Sequence, residues 1–253
     1  MAVFAEKKDR SILITIDRPP LNVLDLALVH ELGEVLRSCA QEPSADVVVL
    51  RGGGERAFSA GVDIKDHTKE KVPEMLEVVH GVMRELLALP QVTVALIRGA
   101  CLGGGCELAS CCDFILAAQG SSFATPEIQV GCYPPLAVAR FSALLGYRRA
   151  AEMILTGRTF SAEEAALIGL INQVLPAAEL DRGLETLLAD LLGKSGAVLR
   201  VTIKALRELS LTGFSEALRR SEEIYLRELL QTEDVEEGVQ AFLAKRSPRW
   251  THR

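Results

Sequence analysis

Two carboxylates and a run of glycines carry the chemistry this sequence could perform. Gly103-Gly104-Gly105 leads into Cys106-Glu107-Leu108-Ala109-Ser110-Cys111-Cys112, and Glu127 follows Pro126 twenty positions after Glu107. Glycine lets a backbone approach a ligand closely, and a helix that starts at such a turn has first N–H groups with no partner inside the helix. The positive end of its dipole favours an anion that develops there. Acidic residues are rarely buried without a partner, so a carboxylate among apolar neighbours at a helix start is a candidate acid or base. Plainer readings stand beside this one: Glu107 caps its own helix, and Glu127 is a turn residue.

These groups need a frame. Val92 to Ile97 has the length and β-branched content of a strand, Arg98-Gly99-Ala100 ends it, and Cys106, Leu108, Ala109 and Cys112 then recur at helical spacing. The order is strand, glycine turn, buried helix. Upstream, Ser11 to Asp17 alternates as a strand and Arg18-Pro19-Pro20 ends it. Asp25 is placed to cap a helix through Ala40, with Leu26, Val29, Leu32, Leu36 and Cys39 on one face. Asp46 to Leu50 reads as a strand covered on both faces. VVVLRGGG near residue 50 echoes VALIRGAC near residue 96, which points to a repeated strand-turn-helix unit.

The loop Arg56 to His67 follows the first echo. Gly61 permits an unusual backbone angle, so the loop either presents an N–H to a ligand or is a surface turn. Pro73 to Leu89 reads as an amphipathic helix buried through Met75, Val79, Val82, Leu86 and Leu89. His67 and His80 flank it without H-E-x-x-H spacing, so no metal is expected. His80 reads as a packed or solvated helix residue, and His67 as a candidate pocket residue.

Beyond Glu127, helices are expected over 134–145 and 147–155, a capping box at Ser161 to Glu164, and a short strand over Ile171 to Leu175. Helices then follow over roughly 177–192, 196–210, 214–230 and 232–244. This composition shift divides the chain into a core of residues 1–175 and a helical region of residues 176–253. Lys245, Arg246 and Arg249 form a basic cluster in the tail, either a solvated helix end or a phosphate contact.

With 49% hydrophobic residues in 253, the chain can bury a core of its own. A net charge of -6 argues against a nucleic-acid groove. The six cysteines form no C-x-x-C pair and most sit in apolar surroundings, as reduced thiols of a cytoplasmic protein do. The N-terminus is too polar for a signal peptide and no apolar run reaches membrane-spanning length, so no membrane association is expected.

Four stretches together resemble the crotonase, or enoyl-CoA hydratase/isomerase, family: RPPLNVLD; AFSAGVDIKD; GACLGGGCELASCCDFILAA with FATPEIQVG; and LTGRTFSAEEAALIGLINQVLP. The tail EDVEEGVQAFLAKRSPRW also fits, so the resemblance spans essentially the whole chain. It implies an α/β fold, a spiral of ββα units with a helical C-terminal region that forms a homotrimer, often paired as a homohexamer. It implies an acyl-CoA substrate, no separate cofactor, and an oxyanion hole from the N–H groups of Val62 and Gly104. Glu107 and Glu127 would be the acid–base pair of a hydratase. Arg18, Leu21, Ala60, Asp63, Ile64 and Lys65 would contact CoA, with Lys245 near its phosphates.

One departure stands out. Common hydratases follow the second glutamate with a glycine-rich run, but here it reads Tyr133-Pro134-Pro135-Leu136-Ala137-Val138. This places bulk toward the acyl group, with His67, Tyr133 and Pro134 as candidate pocket residues. The departure resembles members of the family that hydrate cyclohexa-1,5-diene-1-carbonyl-CoA to 6-hydroxycyclohex-1-ene-1-carbonyl-CoA in anaerobic aromatic degradation. The alternatives are a short-chain 2-enoyl-CoA hydratase and a CoA-binding homologue without turnover.

Overall fold

The computed structural model describes residues 2–253. Its frame is a six-stranded sheet of β1 (Val3–Lys8), β2 (Ser11–Ile16), β3 (Val47–Gly52), β5 (Val92–Ile97), β7 (Phe114–Ala118) and β10 (Gln173–Leu175), in that spatial order. Only the β1–β2 pair is antiparallel. A second sheet of four strands runs β4 (Ala57–Ser59), β6 (Ala100–Leu102), β8 (Ser122–Ala124) and β9 (Phe160–Ser161). Successive turns of the chain therefore place one strand in the large sheet and the next in the small one. This is the expected α/β spiral. The echo around residues 50 and 96 has a physical basis: β3 and β5 are parallel neighbours, with Leu50 opposite Ala95 and Arg51 opposite Leu96.

The large sheet is covered on both faces, which is why its strands read as continuous apolar runs. Val48, Leu50, Ala95 and Ile97 face the main core with helices α1 (Leu26–Ala40) and α2 (Val72–Leu87). Val47, Val49, Val92, Val94 and Leu96 face leucines of α7 (Leu180–Leu192) and α8 (Gly196–Ser210). Asp25 caps α1 through the Leu28 amide at 2.9 Å, as expected. Before the C-terminal helices the chain also forms α3 (Gly104–Ser110), α4 (Pro135–Leu145), α5 (Tyr147–Thr156) and α6 (Ala162–Leu167). Both bonds of the expected capping box between Ser161 and Glu164 are present at the start of α6. The chain ends with α9 (Phe214–Arg227) and α10 (Glu233–Leu243).

Several expectations need correction. No strand is expected from the sequence over Val3–Lys8; β1 buries only Val3 and is held as an edge strand by pairing along its length with β2. The four strands of the small sheet are two or three residues long, too short to show a period. The last strand covers only Gln173–Leu175, and α9 stops at Arg227 before a 3₁₀ turn over Leu229–Gln231. The helix after the glycine triplet ends at Ser110, so Cys112 lies beyond it.

Candidate active site

The glycine turn is built around Gly103, whose φ of 53° and ψ of -130° suit a residue without a side chain. A Cβ there would sit 2.8 Å from Glu127 Oε1. The turn and the second glutamate are therefore in close contact, although twenty-four residues separate them. Across from the turn stands the 60–63 segment. Leu24 N–H donates to the Gly61 carbonyl at 2.9 Å and Leu24 C=O accepts from Asp63 at 3.2 Å, which pins the loop and leaves the Val62 amide between them. A Cβ on Gly104 would meet Val62 Cγ2 at 2.8 Å and Val62 N at 3.5 Å. Neither the Val62 nor the Gly104 amide donates a backbone hydrogen bond among the described residues. Two unengaged amides thus lie side by side.

Glu107 and Glu127 share a cavity of about 350 Å³ with those amides. Glu107 is 4% exposed, and its Oε1 accepts from the Ala137 amide in the first turn of α4 at 2.8 Å. It does not cap its own helix. Burial pushes its carboxyl above the ordinary range, tempered by His80 and the α4 amides. Glu127 lies in a 3₁₀ turn, Pro126–Val130, and its Oε2 is buried without a hydrogen-bond partner among the described residues. Burial first, and the negative charge of Glu107 second, push its carboxyl up to about 8. One carboxylate is thus anchored by a backbone donor, and the other holds its proton near neutrality.

The remaining expected residues divide. Ala60, Ile64, His67, Tyr133 and Pro134 line the cavity. His67 Nδ1 lies 3.2 Å from the Asp63 carbonyl, and burial holds its imidazole below the ordinary value. Tyr133 donates to the Ser221 carbonyl at 2.6 Å and packs edge-on against Tyr225, with centroids 5.1 Å apart. Arg18, Leu21, Asp63, Lys65 and Lys245 are not among the lining residues. They lie along the chain beside it: Leu21 C=O accepts from the Ala60 amide, Asp63 and Lys65 flank Ile64, and Lys245 lies three residues past Phe242, which lines the cavity. Arg18 is paired with Asp25. Arg246 of the basic cluster is paired with Glu237, so that part of the cluster is internally neutralised.

Among the lining residues not singled out as site residues from the sequence are His80, Gln129, Tyr225 and Phe242. His80 follows Leu76 by one helical turn, and that spacing from the buried stripe was the available signal. Tyr225 and Phe242 arrive from α9 and α10, and no local pattern announces such long-range docking. A second cavity, about 460 Å³, lies against α8. Its main charged pair, Arg207 and Asp113, is already joined by hydrogen bonds, so it presents no idle chemistry.

Residues 6–253 match the model of the enoyl-CoA hydratase/isomerase family. The chain is 31% identical over 255 residues to a cyclohexa-1,5-dienecarbonyl-CoA hydratase of Thauera aromatica, covering 100% of this chain and 97% of that one. It is 37% identical over 248 residues to a carnitinyl-CoA dehydratase of Proteus mirabilis, covering 95% and 94%. A crystal structure of an enoyl-CoA hydratase from Mycobacterium avium subsp. paratuberculosis superposes with a TM-score of 0.89 at 29% identity, covering 99% of both chains. The fold and these relatives define a hydro-lyase of the enoyl-CoA hydratase type. The chain belongs to the enoyl-CoA hydratase/isomerase family.

Proposed function

We propose that this enzyme adds water across a carbon–carbon double bond conjugated to a CoA thioester, using Glu107 and Glu127 as base and acid. The observation that carries the reading is the pair of unengaged amides, Val62 and Gly104, in one cavity with two carboxylates. The thioester oxygen accepts from both amides. As the β-carbon is attacked, electron density moves onto that oxygen, where each donor is worth about 3–4 kcal/mol by analogy with other oxyanion holes. Glu107, steadied by Ala137, takes a proton from the attacking water. Glu127 gives its proton to the carbon chain, so water is added and the two carboxyls have exchanged one proton. Arg18, Leu21, Ala60, Asp63, Ile64, Lys65 and Lys245 are assigned to the CoA portion, which needs no further cofactor.

For the acyl group we favour a cyclic dienoyl thioester, cyclohexa-1,5-diene-1-carbonyl-CoA. Met75, Val79, Tyr133, Pro134 and Tyr225 give the chamber flat, apolar walls, and the Thauera relative supports this choice. A second reading has its own support: the rings of Tyr133, Tyr225 and Phe242 line the cavity and suit a cationic acyl group, and the Proteus relative is named for carnitinyl-CoA. Parallel assays with the cyclic dienoyl-CoA, crotonyl-CoA and carnitinyl-CoA decide. Turnover of crotonyl-CoA or carnitinyl-CoA with none of the cyclic compound would defeat the favoured assignment.

Assembly and location belong to the same proposal. Val198, Val201, Leu206 and Leu209 of α8 are exposed, which supports burial in a homotrimer or homohexamer; light scattering after size exclusion reads the mass directly. All six cysteines are free and buried, which supports a reducing, cytoplasmic setting.

A further inference from the structure

The acyl-CoA reading above accounts for two acids and two amides but leaves one buried polar group in the same chamber unused. His80, on α2, is 1% exposed and lines the cavity. Its Nδ1 lies 2.7 Å from Oε1 of Glu222, which reaches it from α9. Arg84, one helical turn beyond His80, also reaches Glu222, at 3.4 Å. Burial alone would raise the Glu222 carboxyl, but the hydrogen bond and charge of His80, with Arg84, outweigh it and hold it below the ordinary value. An ionised carboxylate only accepts, so the proton of this contact resides on Nδ1. Nε2, the other ring nitrogen, makes no hydrogen bond among the described residues. An imidazole held from behind by a carboxylate is the arrangement by which proteins aim the other ring nitrogen.

We propose that His80, oriented by Glu222, is a specificity-determining residue whose Nε2 hydrogen-bonds to a hydroxyl on the acyl group. The ligand class is a hydroxyacyl-CoA, the hydrated partner of the reaction, rather than its unsaturated or saturated counterpart. His80 and Glu107 line the same cavity, so the hydroxyl in question is on the reacting portion of the acyl group. The inference rests on the acyl-CoA reading of the site, but it concerns binding and can be read without turnover. Because Glu222 belongs to α9, the C-terminal helical region contributes to substrate choice through a side chain that touches His80 and does not line the cavity.

The test is calorimetric binding of a hydroxyacyl-CoA and of the matching saturated acyl-CoA to the whole chain carrying Glu127→Gln, the change expected to slow turnover by orders of magnitude. In that background, His80→Phe should weaken the hydroxyacyl-CoA about tenfold while leaving the saturated ester within about twofold. Glu222→Gln, which keeps the side-chain volume but frees the tautomer, should cause a smaller loss in the same direction. Equal losses for both esters, or no loss for either, would overturn the proposal. If His80→Phe does not fold, Glu222→Gln alone decides by the same comparison. Failure of the acyl-CoA reading itself would look different: neither ester would bind to the parent protein.

Discussion

The carboxylate of Glu107 accepts a hydrogen bond from the amide of Ala137 at 2.8 Å, across thirty residues of chain. The first turn of α4 thus holds the group that the glycine turn brings into the cavity. In this way the Pro134-Pro135-Leu136-Ala137 run, which departs from the glycine-rich pattern of common hydratases, still supplies a backbone donor. Prolines at 134 and 135 cost nothing there, because first-turn N–H groups have no helical partner in any case.

Replacing either acid tests the division of labour. Glu107→Gln and Glu127→Gln should each lower kcat by about 10²–10⁴-fold, the usual worth of a positioned acid or base. Binding of a saturated acyl-CoA should change little, since neither change touches the amides at Val62 and Gly104. Steady-state kinetics with isothermal titration separates the two effects, and an unchanged rate for either variant refutes its assigned role.

The raised carboxyl of Glu127 predicts an alkaline limit to hydration. The acid is protonated below about 8, so the rate should hold through neutrality and fall as pH rises through that value. The same shift has a stability consequence. The unfolded group titrates at its ordinary value of 4.5 and the folded one at about 8, so the folded state binds more protons between them. Its contribution to stability is present below 4.5 and is lost as pH rises to 8. Glu127→Gln should remove that slope in chemical denaturation between pH 5 and 9, and an unaltered slope would show that Glu127 titrates normally.

Gly103→Ala should damage the site directly. Its φ of 53° disfavours a Cβ, and the new atom would stand 2.8 Å from Glu127 Oε1. A destabilisation of about 1–3 kcal/mol is expected from the backbone alone, with a loss of kcat because the acid must move. Thermal unfolding and kinetics on the same preparation check both halves.

Gly238→Ala tests how the tail supports the acid. A Cβ there would lie 2.3 Å from the Val130 carbonyl, in the turn that bears Glu127. Backbone atoms cannot swing aside, so α10 must shift, at a cost of about 1–3 kcal/mol. Hydrogen exchange should quicken in α10 and in residues 126–130 together; a change confined to α10 would count against this coupling.

Arg207→Met should loosen α8 from the large sheet. Arg207 pairs with Asp113 and donates to the carbonyls of Leu87, Leu89 and Gln91, while Asp113 also accepts from the Thr93 amide at 2.7 Å. Removing the cation strands a largely buried carboxylate, which should cost about 3 kcal/mol. Urea denaturation reads the loss, and catalytic constants per folded molecule should hold.

Local chemistry in the chain was enough for much of this. The apolar runs of β3 and β5, the caps at Asp25 and Ser161, and the glycine turn with its carboxylates are legible because each rests on residues within a few positions of one another. The repeated strand-turn unit was visible for the same reason. The short strands of the second sheet were not, because two or three residues carry no period. Nor was the identity of what surrounds the acids. His80 and Tyr225 line the chamber from α2 and α9, and Ala137 of α4 and Glu222 of α9 hold Glu107 and His80 from behind. Sequence alone determined which residues could bear charge and which segments must be buried. Tertiary packing decided which acid is anchored, which one keeps its proton and which histidine nitrogen is left unengaged, because burial and electrostatic coupling depend on distances between segments that no local spacing encodes.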